Sequence, residues 1–188
     1  MVSDVAAHLA ADLRAVLEGW AAPSPEQDRL RGTYLRHLDA HPDAVLKTGP
    51  PVHFTASCIV LDGRGEMVLL THHKRANAWF QFGGHLEPGD PGLHAAAARE
   101  AREESGIGEL VPLAEPVALD RHALVGDFGR CREHLDVRFA AVSPEGASPA
   151  TSEESHDVRW WAVAELPAFA EPALVAHVRL AQRALALA

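Results

Sequence analysis

Three glutamates, Glu100, Glu103 and Glu104, stand at i, i+3 and i+4, a spacing that sets three carboxylates on one face of a helix. They fall in the last turns before Gly106, a residue suited to the left-handed position just past a helix end. The helix dipole presents partial negative charge there, and like charges at i,i+4 cost roughly 0.2–0.5 kcal/mol a pair. Helix stability alone would favour Lys or Arg at these positions. A compact set of oxygen ligands is what Mg²⁺ or Mn²⁺ requires, so a divalent cation would make sense of the cluster. The competing reading is a solvated charged face relieved by Arg99 and Arg102.

The flanking residues favour the cation. Gly84, Asp90 and the run Arg99-Glu100-Ala101-Arg102-Glu103-Glu104-Ser105-Gly106-Ile107 closely resemble the Nudix box. That motif is a glycine, five residues, a glutamate, seven residues, then Arg-Glu-aliphatic-any-Glu-Glu-any-Gly-aliphatic. Supporting features run from about Phe54 to Pro167, including Gly83 to Asp90 before the helix and Trp160 with Glu165-Leu166-Pro167 near the end. Two departures stand out. Asp90 replaces the motif's Glu, and eight residues rather than seven separate it from Arg99. They bear on how the loop interlocks with Arg99 more than on metal binding.

The resemblance implies an α+β fold, the Nudix αβα sandwich with a mixed sheet. It implies Glu100, Glu103 and Glu104 as ligands of Mg²⁺ (or Mn²⁺), joined by a backbone carbonyl of Gly83 or Gly84, with Arg99 orienting the glutamates. It also implies hydrolysis of a diphosphate linkage in a small nucleotide-like substrate, a nucleoside diphosphate joined to another group. The general base would be Glu100 or Glu104, or a carboxylate from the later loop, where Glu154 and then Glu153 are the candidates. Lys74, Arg75 and Arg138 are candidate phosphate contacts, and Trp79 a candidate stacking ring, though each suits an ordinary structural role as well. His134 and Asp136 should share a sheet face beside the cleft, or form a structural pair. The remaining histidines have no zinc-like spacing.

The elements that must position these groups can be read from pattern and punctuation. Residues 4 to 20 read as a helix after Ser3 as N-cap, with Val5, Leu9, Leu13, Val16, Leu17 and Trp20 as its apolar stripe, and a second helix from Ser24 to about His41 has Pro25 at its first position and a Ser24–Gln27 capping box. These helices make an N-terminal helical appendage over 1–47, suited to packing or to a homodimer contact, ahead of a Nudix domain over 48–188. Phe54 to Leu61 and Met67 to Leu70 flank the turn Asp62-Gly63-Arg64-Gly65 as a hairpin. Trp79 to Phe82 leads to Gly83-Gly84, where a sharp turn is expected. Asp90-Pro91 should open the acidic helix, with Asp90 as N-cap. Strands are expected over Val111 to Leu119, His134 to Val142 and Val158 to Val163. A mobile loop is expected over Ser143 to Ser155, and a last helix after Pro172.

Bulk properties agree with this plan. A chain of 188 residues with 47% hydrophobic residues suits one domain with an appendage and a sizeable core. A net charge of −9 argues against general nucleic-acid binding. No membrane span or signal segment is apparent, so a cytoplasmic setting is expected. Cys58 and Cys131 lie far apart in apolar runs and read as small buried hydrophobes in a reducing compartment. Two other functions compete with hydrolysis. A Nudix-like module that binds or senses a nucleotide has no need of three metal-ligand carboxylates. Isopentenyl diphosphate isomerase, which shares the fold, needs a cysteine in a Cys-Ser-His-Pro context that Cys58 lacks.

Overall fold

The structure, a computed structural model, describes residues 2–124, 129–153, 155–168, 170 and 173–187, without the side chains of residues 2 and 3. Two helices lead the chain, α1 (Val2–Gly19) and α2 (Pro25–Ala40). Helix α1 starts ahead of Ser3, so Ser3 lies inside it and is not its N-cap. In α2 the Ser24 hydroxyl accepts from the Gln27 N–H at 3.2 Å, with Pro25 in the first turn. The expected capping box is only half made. The Gln27 amide instead pairs with the Leu119 backbone, donating to its carbonyl at 3.0 Å and accepting from its N–H at 2.6 Å. A buried primary amide satisfied this way ties α2 to a strand 92 residues away.

Among the described residues seven strands form one mixed sheet: β1 (Val52–Leu61), β2 (Met67–His73), β3 (Ala78–Phe80), β4 (Phe82–His85), β5 (Ala118–Ala123), β6 (Glu133–Val142) and β7 (Ser155–Ala162). The path runs β3-β2-β1-β6-β5, with β4 on β1 and β7 on β2. One edge of β1 is shared between two antiparallel partners. Thr55 to Cys58 pair with β4, and Val60 and Leu61 pair with β2. The other edge pairs in parallel with β6 along its whole length. Helices α3 (Leu93–Ser105) and α4 (Leu174–Ala184) cover opposite faces, giving the expected α+β sandwich.

Alternation along β1 sorts the faces. Phe54 and Ala56 point into a core built with Leu9, Leu13 and Leu17 of α1, Tyr34 of α2 and Ala97 of α3. Ile59 and Leu61 point to the other face, against Leu174, Val178 and Ala181 of α4. The near end of that second face, at His53, Thr55 and Ser57, is polar and buried. There the cleft opens.

Three further expectations are corrected. The segment 111–117 is not a strand, because Pro112 and Pro116 lack an N–H. Leu113 and Val117 do bond to the Ala140 and Arg138 carbonyls of β6, both at 2.7 Å. Gly83 and Gly84 do not make a sharp turn. They lie inside β4, paired with Ser57 and Ala56. Asp90 does not cap α3, which begins at Leu93. The first free N–H of that helix, on Leu93, is instead taken by the Asp12 carboxylate of α1 at 2.7 Å. Gly106 does end α3 in the left-handed conformation, at φ 72°. Pro172 lies outside the described residues.

Because α1 shares its core with the sheet and α3, it should unfold with them. Leu13 is fully buried in that core, so Leu13→Ala should lower the stability of the whole chain by about 2–5 kcal/mol in one transition. Denaturant unfolding followed by far- and near-ultraviolet circular dichroism checks this. A separate early transition that leaves the sheet intact would contradict it.

Candidate active site

The acidic helix reaches the sheet through its last two turns. Glu104 is buried, and its carboxylate accepts from the Gly83 N–H at 3.0 Å. Glu100 lies against Gly84 so closely that a Cβ there would come within 2.6 Å of its Oε1. A Cβ on Gly83 would strike Ser57 at 2.3 Å. The two glycines are thus needed for close approach, of the strand to Ser57 and of the carboxylates to the strand. Glu103 is the outermost of the three, with its side chain 61% exposed.

Arg99 binds this group together. Its Nε and Nη2 donate to the two oxygens of Asp90, both at 3.0 Å. Nη1 donates to Glu100 at 2.9 Å and to Glu103 at 3.3 Å, and Nη2 also donates to the His85 carbonyl at 3.0 Å. The Asp90 carboxylate further accepts from the Glu87 N–H at 2.8 Å, which closes the loop before α3. Its hydrogen bonds to Asp90 above all, then the Glu100 charge, raise the Arg99 pKa well beyond its ordinary value. The shorter side chain and longer spacing at Asp90 therefore still yield a bidentate clamp. Arg102 is turned away, donating to the Leu110 carbonyl at 2.8 Å.

Two adjoining cavities, of about 720 and 390 Å³, meet along Gly83, Gly84 and Glu104. The larger brings Glu100, Glu103, Glu104 and Arg99 together with Lys47, Lys74, Arg75 and Glu153. Two of the three candidate phosphate contacts therefore line it. Lys74 donates to the Glu153 carbonyl at 2.6 Å, tying the later loop to the turn after β2. Glu154 lies outside the described residues. The loop over 143–153 is partly fastened, since Ala150 N–H donates to the Ser105 carbonyl at the end of α3.

The smaller cavity runs over the polar end of the sheet. Its floor includes Asp136, which accepts from the Thr55 and Ser57 hydroxyls at 2.9 and 2.6 Å. Gln81 lines it too, with Oε1 buried and lacking a hydrogen-bond partner among the described residues. Arg138, expected as a phosphate contact, is instead fully buried. It donates to Asp136 and Asp120, both at 3.0 Å, and to Nδ1 of His177 on α4 at 2.7 Å. Tyr34 donates to the carbonyls of both aspartates' residues, Asp120 and Asp136. A buried guanidinium needs such partners, and both carboxylates need it. Asp136 therefore belongs to this network and does not pair with His134. Trp79 stacks on His72 with ring centres 5.0 Å apart and packs edge-on to Trp161, part of the aromatic surface over β2 and β7.

One further group escaped the sequence reading. His53, His85, Cys131 and His134 bring one ligand atom each within 4.8 Å of one another. Chain spacing offers no sign of it. His53 and His134 are register partners on parallel strands, and Thr55, two residues on, is the partner of His85. Cys131 is buried, as expected, but against this cluster and not in an apolar run. Burial pushes the His85 pKa down to about 3 and that of His134 to about 4, and lowers that of His53.

The site is thus a glutamate helix end docked on a Gly-Gly strand, within a mixed sheet between helices. The NUDIX domain family model matches residues 51–181, and the chain belongs to the Nudix family. Similar solved structures include an Ap4A hydrolase from C. elegans, 18% identical with a TM-score of 0.57, covering 71% of this chain and 97% of that one. A NUDIX-family hydrolase from Clostridium perfringens is 25% identical with a TM-score of 0.50, covering 72% and 97%. The E. coli dihydroneopterin triphosphate pyrophosphohydrolase is 15% identical with a TM-score of 0.55, covering 73% and 97%. No curated protein matches the chain. Among the described residues no helix is long and apolar enough to cross a membrane.

The Arg138 network makes a pH prediction. Burial first, then the Arg138 charge, pushes the His177 pKa down to about 4, against the opposing pull of Asp120 and Asp136. In the unfolded chain a histidine titrates near 6.5. Between about pH 6.5 and 4 the unfolded chain therefore holds a proton that the folded site refuses. Stability should fall as pH drops through that window, by up to about 1.4 kcal/mol per pH unit from this residue. His177→Asn keeps an acceptor for Arg138 and does not titrate. Its melting temperature should fall less steeply with acid than the parent's, and parallel curves would refute the assignment.

Proposed function

We propose that the larger cavity hydrolyses the diphosphate linkage of a nucleoside diphosphate joined to another group, with Mg²⁺ or Mn²⁺ held by Glu100, Glu103, Glu104 and the carbonyl of Gly84. The observation that carries this reading is the docking of Glu100 and Glu104 on Gly84 and Gly83 under the Arg99 clamp. The donor set is all oxygen, which suits a hard cation. When bound, such a cation offsets phosphate charge and lowers the pKa of a coordinated water. Lys74 and Arg75 on the cavity wall supply positive charge for phosphate oxygens. Arg99 fixes the position of Glu100, and Gly83 that of Glu104, so neither carboxylate must be ordered as substrate arrives. Glu100 and Glu104 are the described candidates for the base that takes a proton from water, and Glu154 a further one from the later loop. The smaller cavity, with Gln81 and Asp136 in its lining, is suited to the group beyond the phosphates.

A phosphate-release assay with Mg²⁺ and with Mn²⁺ tests the reading. The panel should hold nucleoside triphosphates, dinucleotides including Ap4A, nucleotide sugars, dihydroneopterin triphosphate and capped RNA. Glu103→Gln or Glu104→Gln should lower turnover by orders of magnitude while the melting transition survives. Hydrolysis at the parent rate in both variants would sink the proposal.

Metal and stability are linked by mass action. At a free Mg²⁺ or Mn²⁺ concentration ten times Kd, one site adds about 1.4 kcal/mol to the folded state. Adding the ion should therefore raise the parent's melting temperature and raise that of Glu104→Gln by less. Without added ion, that variant should be at least as stable as the parent, since one repelling charge is gone while an oxygen remains for the Gly83 N–H. Equal shifts in the two proteins would place the ion elsewhere.

A further inference from the structure

We propose that His53, His85, Cys131 and His134 form a second, structural metal site, a closed four-ligand zinc centre beside the catalytic cleft. The donor set is three imidazoles and one thiolate, a softer set than the glutamates and one suited to Zn²⁺. Two of the ligand–ligand distances already lie near tetrahedral spacing. With Zn–N near 2.05 Å and Zn–S near 2.3 Å, tetrahedral angles require about 3.3 Å between nitrogens and about 3.6 Å from nitrogen to sulfur. His53 Nε2 and His85 Nε2 are 2.9 Å apart, Cys131 Sγ and His85 Nε2 are 3.9 Å apart, and all four ligand atoms fall within 4.8 Å.

Protons alone leave this cluster poorly satisfied. His53 Nδ1 donates to the Pro50 carbonyl at 3.1 Å, which leaves Nε2 as a lone pair facing its neighbours. Nε2 of His85 faces both that lone pair and the Cys131 sulfur, and one proton cannot serve both. His134 Nε2 is buried with no hydrogen-bond partner among the described residues. An orphaned buried nitrogen is costly in a cluster with no cation. A Zn²⁺ ion accepts all the lone pairs at once, and the Cys131 thiol releases its proton to solvent as the thiolate forms.

The site's place in the fold gives it a role. It joins the starts of β1 and β6 to the end of β4, and His85 follows Gly84 directly. The His85 carbonyl accepts from Arg99, so zinc would fix the end of the strand on which the glutamates dock. With four protein ligands it leaves no open position for substrate, which makes His53, His85, Cys131 and His134 positioning residues.

The test does not depend on hydrolysis. Protein produced without a histidine tag should carry about one zinc per chain by elemental analysis, and Cys131→Ser and His134→Ala should each reduce that to below about a tenth. Co²⁺ exchanged into the site should give the strong visible bands of tetrahedral cobalt with a thiolate-to-cobalt charge-transfer band. That band should persist in Cys58→Ala, which removes the other cysteine, and in Glu103→Gln. It should be lost in Cys131→Ser, and if that variant does not fold, the Cys58→Ala spectrum alone identifies the sulfur. Chelation should lower the parent's melting temperature by several degrees, and zinc should restore it. Zinc-free parent protein whose Co²⁺ spectrum lacks the thiolate band would overturn the proposal. So would a zinc content that follows Glu103→Gln and ignores Cys131→Ser.

Discussion

The bidentate pair between Arg99 and Asp90 is the constraint on which the cleft depends. Three carboxylates at the negative end of a helix repel one another and the helix dipole. Arg99 supplies the compensating charge from within the same turn, reaching Glu100 and Glu103 with one nitrogen and Asp90 with the other two. Its planar fork matches a carboxylate in a way a lysine could not. Through the His85 carbonyl the same side chain also fixes helix α3 against strand β4. Loop, strand and helix are thus held in one arrangement by a single guanidinium.

That arrangement has a cost at the other end of α3, and the N-terminal helices meet it. Since Asp90 is engaged by Arg99, it is not available to cap the helix. Asp12 of α1 takes the Leu93 N–H instead. The side chains of α1 fill the core under Phe54, Ala56 and Ala97, while Gln27 and Tyr34 of α2 satisfy backbone groups of β5 and β6. The leading helices are therefore part of what positions the acidic helix, although none of their described side chains lines either cavity.

On the opposite face, polarity is managed by pairing. Arg138 pairs with both Asp136 and Asp120 at full burial, and His177 accepts from its remaining nitrogen. Removing Arg138 would leave buried carboxylates uncompensated, at a cost of about 3–5 kcal/mol. The network lets a sheet that is apolar under α4 carry a polar floor under the cleft within two residues, from Ile59 to Ser57.

The local parts of this design were legible in the sequence. The hairpin of β1 and β2, the acidic helix with its Gly106 stop, and the Glu100, Glu103, Glu104 spacing follow from periodicity, turn residues and caps, which act over a few positions. The Nudix motif added the family and the clamp role of Arg99. Other features needed the tertiary structure. Asp90 resembles an N-cap by local rule, yet a salt bridge to Arg99 outweighs one capping hydrogen bond. Gly83 and Gly84 resemble a turn, yet they are glycines because Ser57 and Glu100 approach them. Arg138 resembles a surface cation until Asp120, Asp136 and His177 are seen to surround it. The His53, His85, Cys131 and His134 cluster is set by the parallel register of β1 and β6, which begin 81 residues apart. No local pattern encodes such a register. It is decided by burying both faces of a central strand at once, which only the complete fold can do.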